Sequence, residues 1–531
     1  MKMLSPLFLV LLLLPLTCTT HQIPLIPSPE SFAAKDNFGA DAIFARQRAS
    51  SIFNAIHSSM RQWGSSLQHN GMSYFPATIP ENTHLYHGTH QKERVKGMEW
   101  LAFEIEHAEA FARWGAFRPS KNSYVPGPDG EYPHSELPSL KLDEDSVKHR
   151  YTQTIPPPQN DRPKGYLHIY RTTRDLTKLL YIDGMSAGKT SNGTLDTTDI
   201  VLRNDTRPKI PVWGDVKRGE DLCAIGLEWG VEGFIRMEVG FELILCDFED
   251  GLILESSRQK ATTKESDNSN MWRFEWFRGV AARYQGITAG RVELDYSFMV
   301  SAYFYPLNLT NPDISHSEQP RLVSSDKEGI LRLKTDLRRI IQESQSQKHD
   351  KIDWQGVVDM IVSRYTDRLM FMKAKRATHK QILSVLESLL GIFIDYENPN
   401  ILAAETLCAV HYLTSVIPST SQDTLIYEAL LTVTKQICNT LFEVRKSLLE
   451  AEEDHASAVE ESKSKVGNLV NYLNWSTWLD CGKCAYDEVC YVAAWPWGRP
   501  QDHYHPSCLK HNETSDLDGY WEDKRIAPDN L

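Results

Sequence analysis

Cysteines and histidines crowd the C-terminal end of the chain: Cys481, Cys484 and Cys490 in CGKCAYDEVC, then His503, His505 and Cys508 in DHYHPSC. Thiolates and imidazoles at such spacings suit tetrahedral zinc. In an oxidising compartment the same sulfurs form disulfides instead, and no metal ligand is assigned here. A second stretch, LLYIDGMSAGKT (Leu179 to Thr190), carries Gly-x-x-x-Gly-Lys-Thr. A phosphate-cradling loop needs one more residue between its glycines and a helix after it. The following SNGTLDTTD has no helical period, so the stretch reads as a polar loop. The third group is His87-Gly88-Thr89, at the end of a short strand where a glycine lets a ligand approach the backbone without a Cβ in the way. The fourth is the pair Glu238 and Glu242, flanking Gly240 in WGVEGFIRMEVGFELILCDF. On a regular strand they would share a face about 13 Å apart, so only one could serve a given ligand. Gly240 points to a strand that starts after Glu238, leaving Glu242 near its beginning.

The elements that must position these residues alternate in kind. THLYHGTHQKERVKGMEWLAFEIEHAEAFAR (Thr83 to Arg113) reads as strand, turn, strand and then a helix whose Ala108, Phe111 and Ala112 share a face. Val292 to Val300 alternates as a half-buried strand. Upstream, Ile52, Ile56, Met60 and Trp63 predict one helix on the outer edge, ended by Gly64. From Ser325 the period becomes helical: Ile330, Leu333, Leu337 and Ile341; Trp354, Val358, Ile361 and Tyr365; Ile382, Leu386, Leu389 and Phe393; Ile426 through Val444. The expected organisation is an α+β domain over 39–308 with a Pro- and Ser-rich surface insertion at 117–163, a helical bundle over 325–473, and a small disulfide-rich tail over 475–531.

Residues 1–20 have Lys2, an apolar run from Leu7 to Leu14, and a Pro and polar end, the pattern of a secretory signal peptide. No later stretch reaches the roughly 18 apolar residues of a membrane span, so a secreted, extracellular protein without a membrane span is expected. Of nine cysteines, Cys18 falls in the leader, and the eight that remain are an even number. The pairing expected is Cys223 with Cys246, Cys408 with Cys438, and the four tail cysteines among themselves. Asn192, Asn204, Asn308, Asn474 and Asn512 head glycosylation sequons. A formal charge of −13 argues against a nucleic-acid partner, which would require a basic face.

Four of these blocks, in order, resemble the ADP-ribosyltransferase fold of the diphtheria-toxin and poly-ADP-ribose-polymerase type, with its His-Tyr-Glu triad. The family's "L-Y/W-H-G-T" strand matches Leu85 to Thr89, and its "Y-L-T-D-D-P-E-x-A-x-x-Y-A" stretch runs without a gap along Trp100 to Ala112. Gly165 to Gly184 looks like the next strand pair, and Trp229 to Phe248 is similar to "lG-x-D-G-x-I…E-Y-V-V-F-D". The resemblance implies a split β-sheet, NAD as substrate, His87 with Gly88 and Thr89 on the adenosine-side ribose, Trp100 in the aromatic wall where the family has Tyr, and Glu242 as the catalytic carboxylate. It further implies a secreted mono-ADP-ribosyltransferase or NAD glycohydrolase that cleaves the nicotinamide–ribose bond, a toxin-like effector if it modifies a protein, with the target unknown. Gly240 stands where arginine-modifying members carry a second Glu or Gln, so arginine transfer is not implied. Two other classes fit the same sequence: a catalytically inactive secreted binding protein on the same fold, and a carbohydrate-active hydrolase suggested by secretion, acidity and abundant aromatics.

Overall fold

The computed structural model describes residues 40–112, 164–186, 195–204, 215–260, 271–287, 290–347, 349–451, 455–494, 497–514 and 517. The stretches expected to be a signal peptide (1–20) and a surface insertion (117–163), and Asn192, lie outside them.

Alternating apolar residues build one mixed sheet from β1 (Ser73–Ile79), β2 (His84–Thr89), β3 (Glu99–Ala102), β4 (Tyr166–Thr172), β5 (Leu176–Met185), β6 (Gly233–Met237), β7 (Phe241–Leu245), β8 (Leu252–Gln259), β9 (Glu293–Leu294) and β10 (Val300–Ser301). Its order is β10-β1-β5-β6-β7-β3-β2-β4-β8, with β9 also on β1. Every pair is antiparallel except β5 with β6, which a crossover through helix α5 (Asp215–Trp229) makes parallel. The predicted strand from Val292 to Val300 is instead two short pairings on either side of a 3-10 turn at Tyr296–Phe298. There the Asp295 side chain caps the turn by accepting from the Ser297 N–H.

Two helices flank the sheet sequences: α4 (Ile105–Phe111) directly after β3, and α6 (Met271–Ala281) after β8. The C-terminal half is helical, with α7 (Lys327–Ser346), α8 (Trp354–Lys373), α9 (His379–Leu390), α10 (Ile401–Val410), α11 (Ser421–Glu450) and α12 (His455–Leu473). Side chains cap their starts, Asp326, Asp353, Asn400 and Thr420 each accepting from a first-turn N–H. The tail adds β11 (Glu488–Tyr491), a one-turn helix α13 (Pro500–Tyr504) and β12 (Ser507–Lys510). Among the described residues no helix is long and apolar enough to cross a membrane.

The N-terminal helices correct the outer-edge expectation. They are α1 (Ala42–Gln47), α2 (Ala49–Ser58) and α3 (Gln62–Leu67), so the helix predicted through Trp63 breaks at Met60. Met60 takes φ of 54°, the left-handed region. Gly64, far from ending a helix, sits inside α3, where a Cβ would stand 2.3 Å from that of Ser58. Nor is α2 peripheral. Ile52 through Ser58 are all buried, because α8 and α11 pack against the helix. Phe53 stacks on Trp475 with centroids 5.6 Å apart, and Asn54 Nδ2 donates to the Leu473 carbonyl at 2.9 Å.

The expected boundary at 308–325 is therefore not a break in packing: residues 37–531 group as one compact unit, with one apolar core running through both halves. Arg48 donates to the carbonyls of Tyr305 and Leu307 at 2.6 Å each, Arg321 pairs with Asp196 at 2.9 Å, and Arg61 pairs with Asp359 of α8 at 2.5 Å. The 39–308 region and the 325–473 helices share this core rather than separating. Stripping the helices from α2 would expose Ile52, Phe53 and Ile56, each worth about 1.5–3 kcal/mol of burial. Residues 40–308 produced alone should consequently lose cooperative thermal unfolding. A sharp calorimetric transition at the full-length Tm would contradict this.

Among the described residues four disulfides are formed: Cys223–Cys246, Cys408–Cys438, Cys481–Cys490 and Cys484–Cys508. The first ties α5 to the residue after β7, the second ties α10 to α11, and the last two fasten the tail hairpin. Asn204, Asn308, Asn474 and Asn512 are all exposed.

Candidate functional site

The strand order puts β7, β3 and β2 side by side, and these carry Glu242, Trp100 and His87. Ala102 lies opposite Glu242 and Trp100 opposite Ile244, so Glu242 and Trp100 emerge on one face of the sheet. Tyr86 lies opposite Ala102, so the pleat turns the neighbouring His87 to the other side of β2. The His87 ring is buried beside Phe248, and its Nδ1–H donates to the Trp100 carbonyl at 2.7 Å. Sequence neighbours of the predicted triad are thus adjacent in space, but His87 faces away from the other two. Thr89 serves a local turn, its hydroxyl accepting from the Gln91 N–H at 3.2 Å.

Helix α4 lies across this face. A Cβ on Gly88 would stand 1.9 Å from the Ala108 carbonyl oxygen, so the glycine admits the α4 backbone, a tighter constraint than the ligand approach expected of it. Trp100 is half-buried, its indole edge against Gly219 of α5, where a Cβ would stand 3.2 Å from Cζ2. The Cys223–Cys246 bond pins that helix down one turn further on.

Beneath α4 and α5 the β6–β7 turn collects charge. Arg236 is 1% exposed and Glu242 2%, and Arg236 Nε donates to Glu242 Oε1 at 2.5 Å. The same guanidinium lies 3.7 Å from Asp215 and 4.0 Å from Glu238. Burial drives the Glu242 carboxyl above its ordinary range; Arg236 opposes that drive, while Glu238 and Asp215 add to it. His107 of α4 reaches the turn from above, and His107, Glu238 and Glu242 each bring a polar atom within 4.8 Å of the others. The His107 ring stacks on Phe111, which is 41% exposed and forms the visible rim of the cluster. Burial lowers the His107 imidazole to about 4, with Glu238 opposing.

Glu104, at the head of α4, has both carboxyl oxygens buried without a hydrogen-bond partner. Burial pushes it up to about 8 against the pull of Arg283 and Arg291. Because the folded-state value lies above the unfolded one, the folded protein holds the extra proton between pH 4.5 and about 8. Its contribution to stability is complete below that window and is lost as pH rises through it, at about 1.4 kcal/mol per pH unit. Thermal melts should therefore show Tm falling from pH 6.5 to 8, and Glu104→Gln should flatten that fall. An unchanged slope in the variant would sink the assignment.

Sequence reading singled out Glu242 and Trp100 but not His107, Arg236, Glu104 or Asp215. A signal for some of them was present: Glu104-x-x-His107 spaces two polar groups one helical turn apart, and Arg236, Glu238 and Glu242 interrupt an otherwise apolar hairpin.

A family model described as the YPL277C N-terminal domain matches residues 42–267, the stretch from α1 past the end of β8. Two relatives from Saccharomyces cerevisiae are similar to this chain. Uncharacterized protein YOR389W is 25% identical over 544 residues, covering 84% of this chain and 81% of its own length. Uncharacterized protein YPL277C is 33% identical over 220 residues, covering 38% of this chain and 40% of its own length. No solved structure matches the chain.

Proposed function

We propose that the face of β7 and β3 beneath α4 is an NAD site, and that the protein is a secreted enzyme of the ADP-ribosyltransferase type cleaving the nicotinamide–ribose bond. The observation that carries the reading is the adjacency of β7 and β3, which brings Glu242 and Trp100 of the resemblance onto one face, with Arg236 hydrogen-bonded to Glu242 there. Nicotinamide departs neutral from a cationic bond, so the step needs no general acid. The C1′–N bond breaks with its electron pair going to nicotinamide, and positive charge grows on the ribose. A carboxylate held nearby opposes that charge. Glu242 takes this role: Arg236 fixes Oε1 and leaves Oε2 for the ribose. Phe111 and Trp100 supply the aromatic wall. Water or a nucleophile of an unknown protein target then adds at C1′ and loses its proton to solvent. Incubating the full-length protein with NAD and measuring free nicotinamide tests this directly.

A second reading, an inactive binding protein on the same scaffold, is favoured by one specific feature. Arg236 already neutralises Glu242 while α5 packs on the Trp100 indole, an arrangement that also serves stability alone. Heat protection by NAD without nicotinamide release would select it.

A further inference from the structure

The β6–β7 turn holds polar atoms that its own ion pair does not use. His107 is 1% exposed, and its Nδ1 is buried without a hydrogen-bond partner. That nitrogen points at the turn joining Glu238 to Glu242, since a Cβ on Gly240 would stand 2.2 Å from it. Glu238 and Glu242 each place a carboxylate oxygen within 4.8 Å of the imidazole and of each other. Arg236 Nε engages Oε1 of Glu242 and leaves Oε2 on the far side of the carboxyl group. Around the same glycine, Glu104 Oε2 would stand 2.8 Å from the Cβ, and neither of its oxygens has a hydrogen-bond partner.

We propose that His107, Glu238 and Glu242 form a binding site for a divalent transition-metal ion of the zinc class. One imidazole nitrogen and two carboxylate oxygens make a donor set that zinc accepts at about 2.0–2.2 Å, with a further position open. Three donors already within 4.8 Å of one another need only small side-chain adjustments to close around one ion. Magnesium and calcium are disfavoured, because they take oxygen donors almost entirely, whereas imidazole suits zinc, copper, iron and nickel. Glu104, one helical turn before His107, adds a buried carboxyl group beside the same glycine. Both readings call on the second carboxylate oxygen of Glu242, so a bound ion and a bound ribose would exclude one another, and the inference does not rest on cleavage of NAD.

Full-length protein, stripped with chelator and dialysed, would be titrated with Zn²⁺ and separately with Mg²⁺ while Tm is followed, and with Co²⁺ while the visible absorption of its d–d bands is followed. The expected result is one equivalent bound, a Tm that rises with Zn²⁺ but not with Mg²⁺, and cobalt bands that His107→Gln abolishes. His505→Gln, in the tail, should keep them. Glu238→Gln offers an independent route should His107→Gln fail to fold: it should lose the cobalt bands with its circular dichroism unchanged. No Tm shift and no cobalt bands in the wild type would overturn the site. So would bands of equal intensity in Glu238→Gln.

Discussion

Replacing Arg236 with Met is expected to destabilise the protein by about 3–5 kcal/mol, the cost of leaving a buried charge without its partner. Arg236 is 1% exposed, and three carboxylates, those of Glu242, Asp215 and Glu238, lie within 4.0 Å of its guanidinium. Methionine fills much of the same volume but carries no charge, so Glu242 would have to take up a proton or draw in water beneath α4. Guanidinium denaturation of the full-length protein would read the change as a lowered midpoint at an unchanged slope. Arg236→Met combined with Glu242→Leu should recover most of the loss, because replacing both members of a buried pair by apolar groups is often neutral. A single variant within 1 kcal/mol of wild type, on the scale of a surface pair, would mean that Glu242 is not held in the way described.

Much of this architecture was legible in the residues, and the parts that were not share a cause. Alternation located β2, the resemblance pointed to the β4–β5 pair, Gly240 pointed to the start of β7, and the helical period located α7, α8, α9 and α11, because local burial pattern is what such periods encode. Glu238 falls in the turn and Glu242 one residue into β7, as Gly240 suggested. Met60 was different. Its apolar side chain fits the helical stripe, yet the chain takes a left-handed step there so that α3 can follow α2 closely at Gly64. The central place of α2 was hidden for a related reason. Its burial comes from α8 and α11, hundreds of residues away, and an amphipathic stripe does not reveal that the opposite face is covered too. The charged cluster assembles from α4, α5, β6 and β7, and such convergence depends on the sheet order, which the sequence of strands leaves open. His87 was misleading in the same way, since its side depends on the register of β2 against β3.

Glu242→Gln is expected to slow nicotinamide release about a hundredfold or more, the usual loss when one preorganised electrostatic contact to a developing charge is removed. The substitution preserves shape and leaves an oxygen for Arg236, but it removes the negative charge that would face the ribose. Glu238→Gln should do far less to the rate, because Glu238 lies in the turn, with its carboxylate 4.0 Å from the guanidinium against 2.5 Å for Glu242. Stability must be followed in parallel, since an uncompensated Arg236 would itself weaken the fold. The most direct measurement is the initial rate of nicotinamide release from NAD by wild-type and Glu242→Gln proteins at the same concentration, both verified as folded. Turnover by the wild type that is lost in the variant is the predicted result. No release by the wild type at high enzyme concentration, or equal rates in the two proteins, would contradict it.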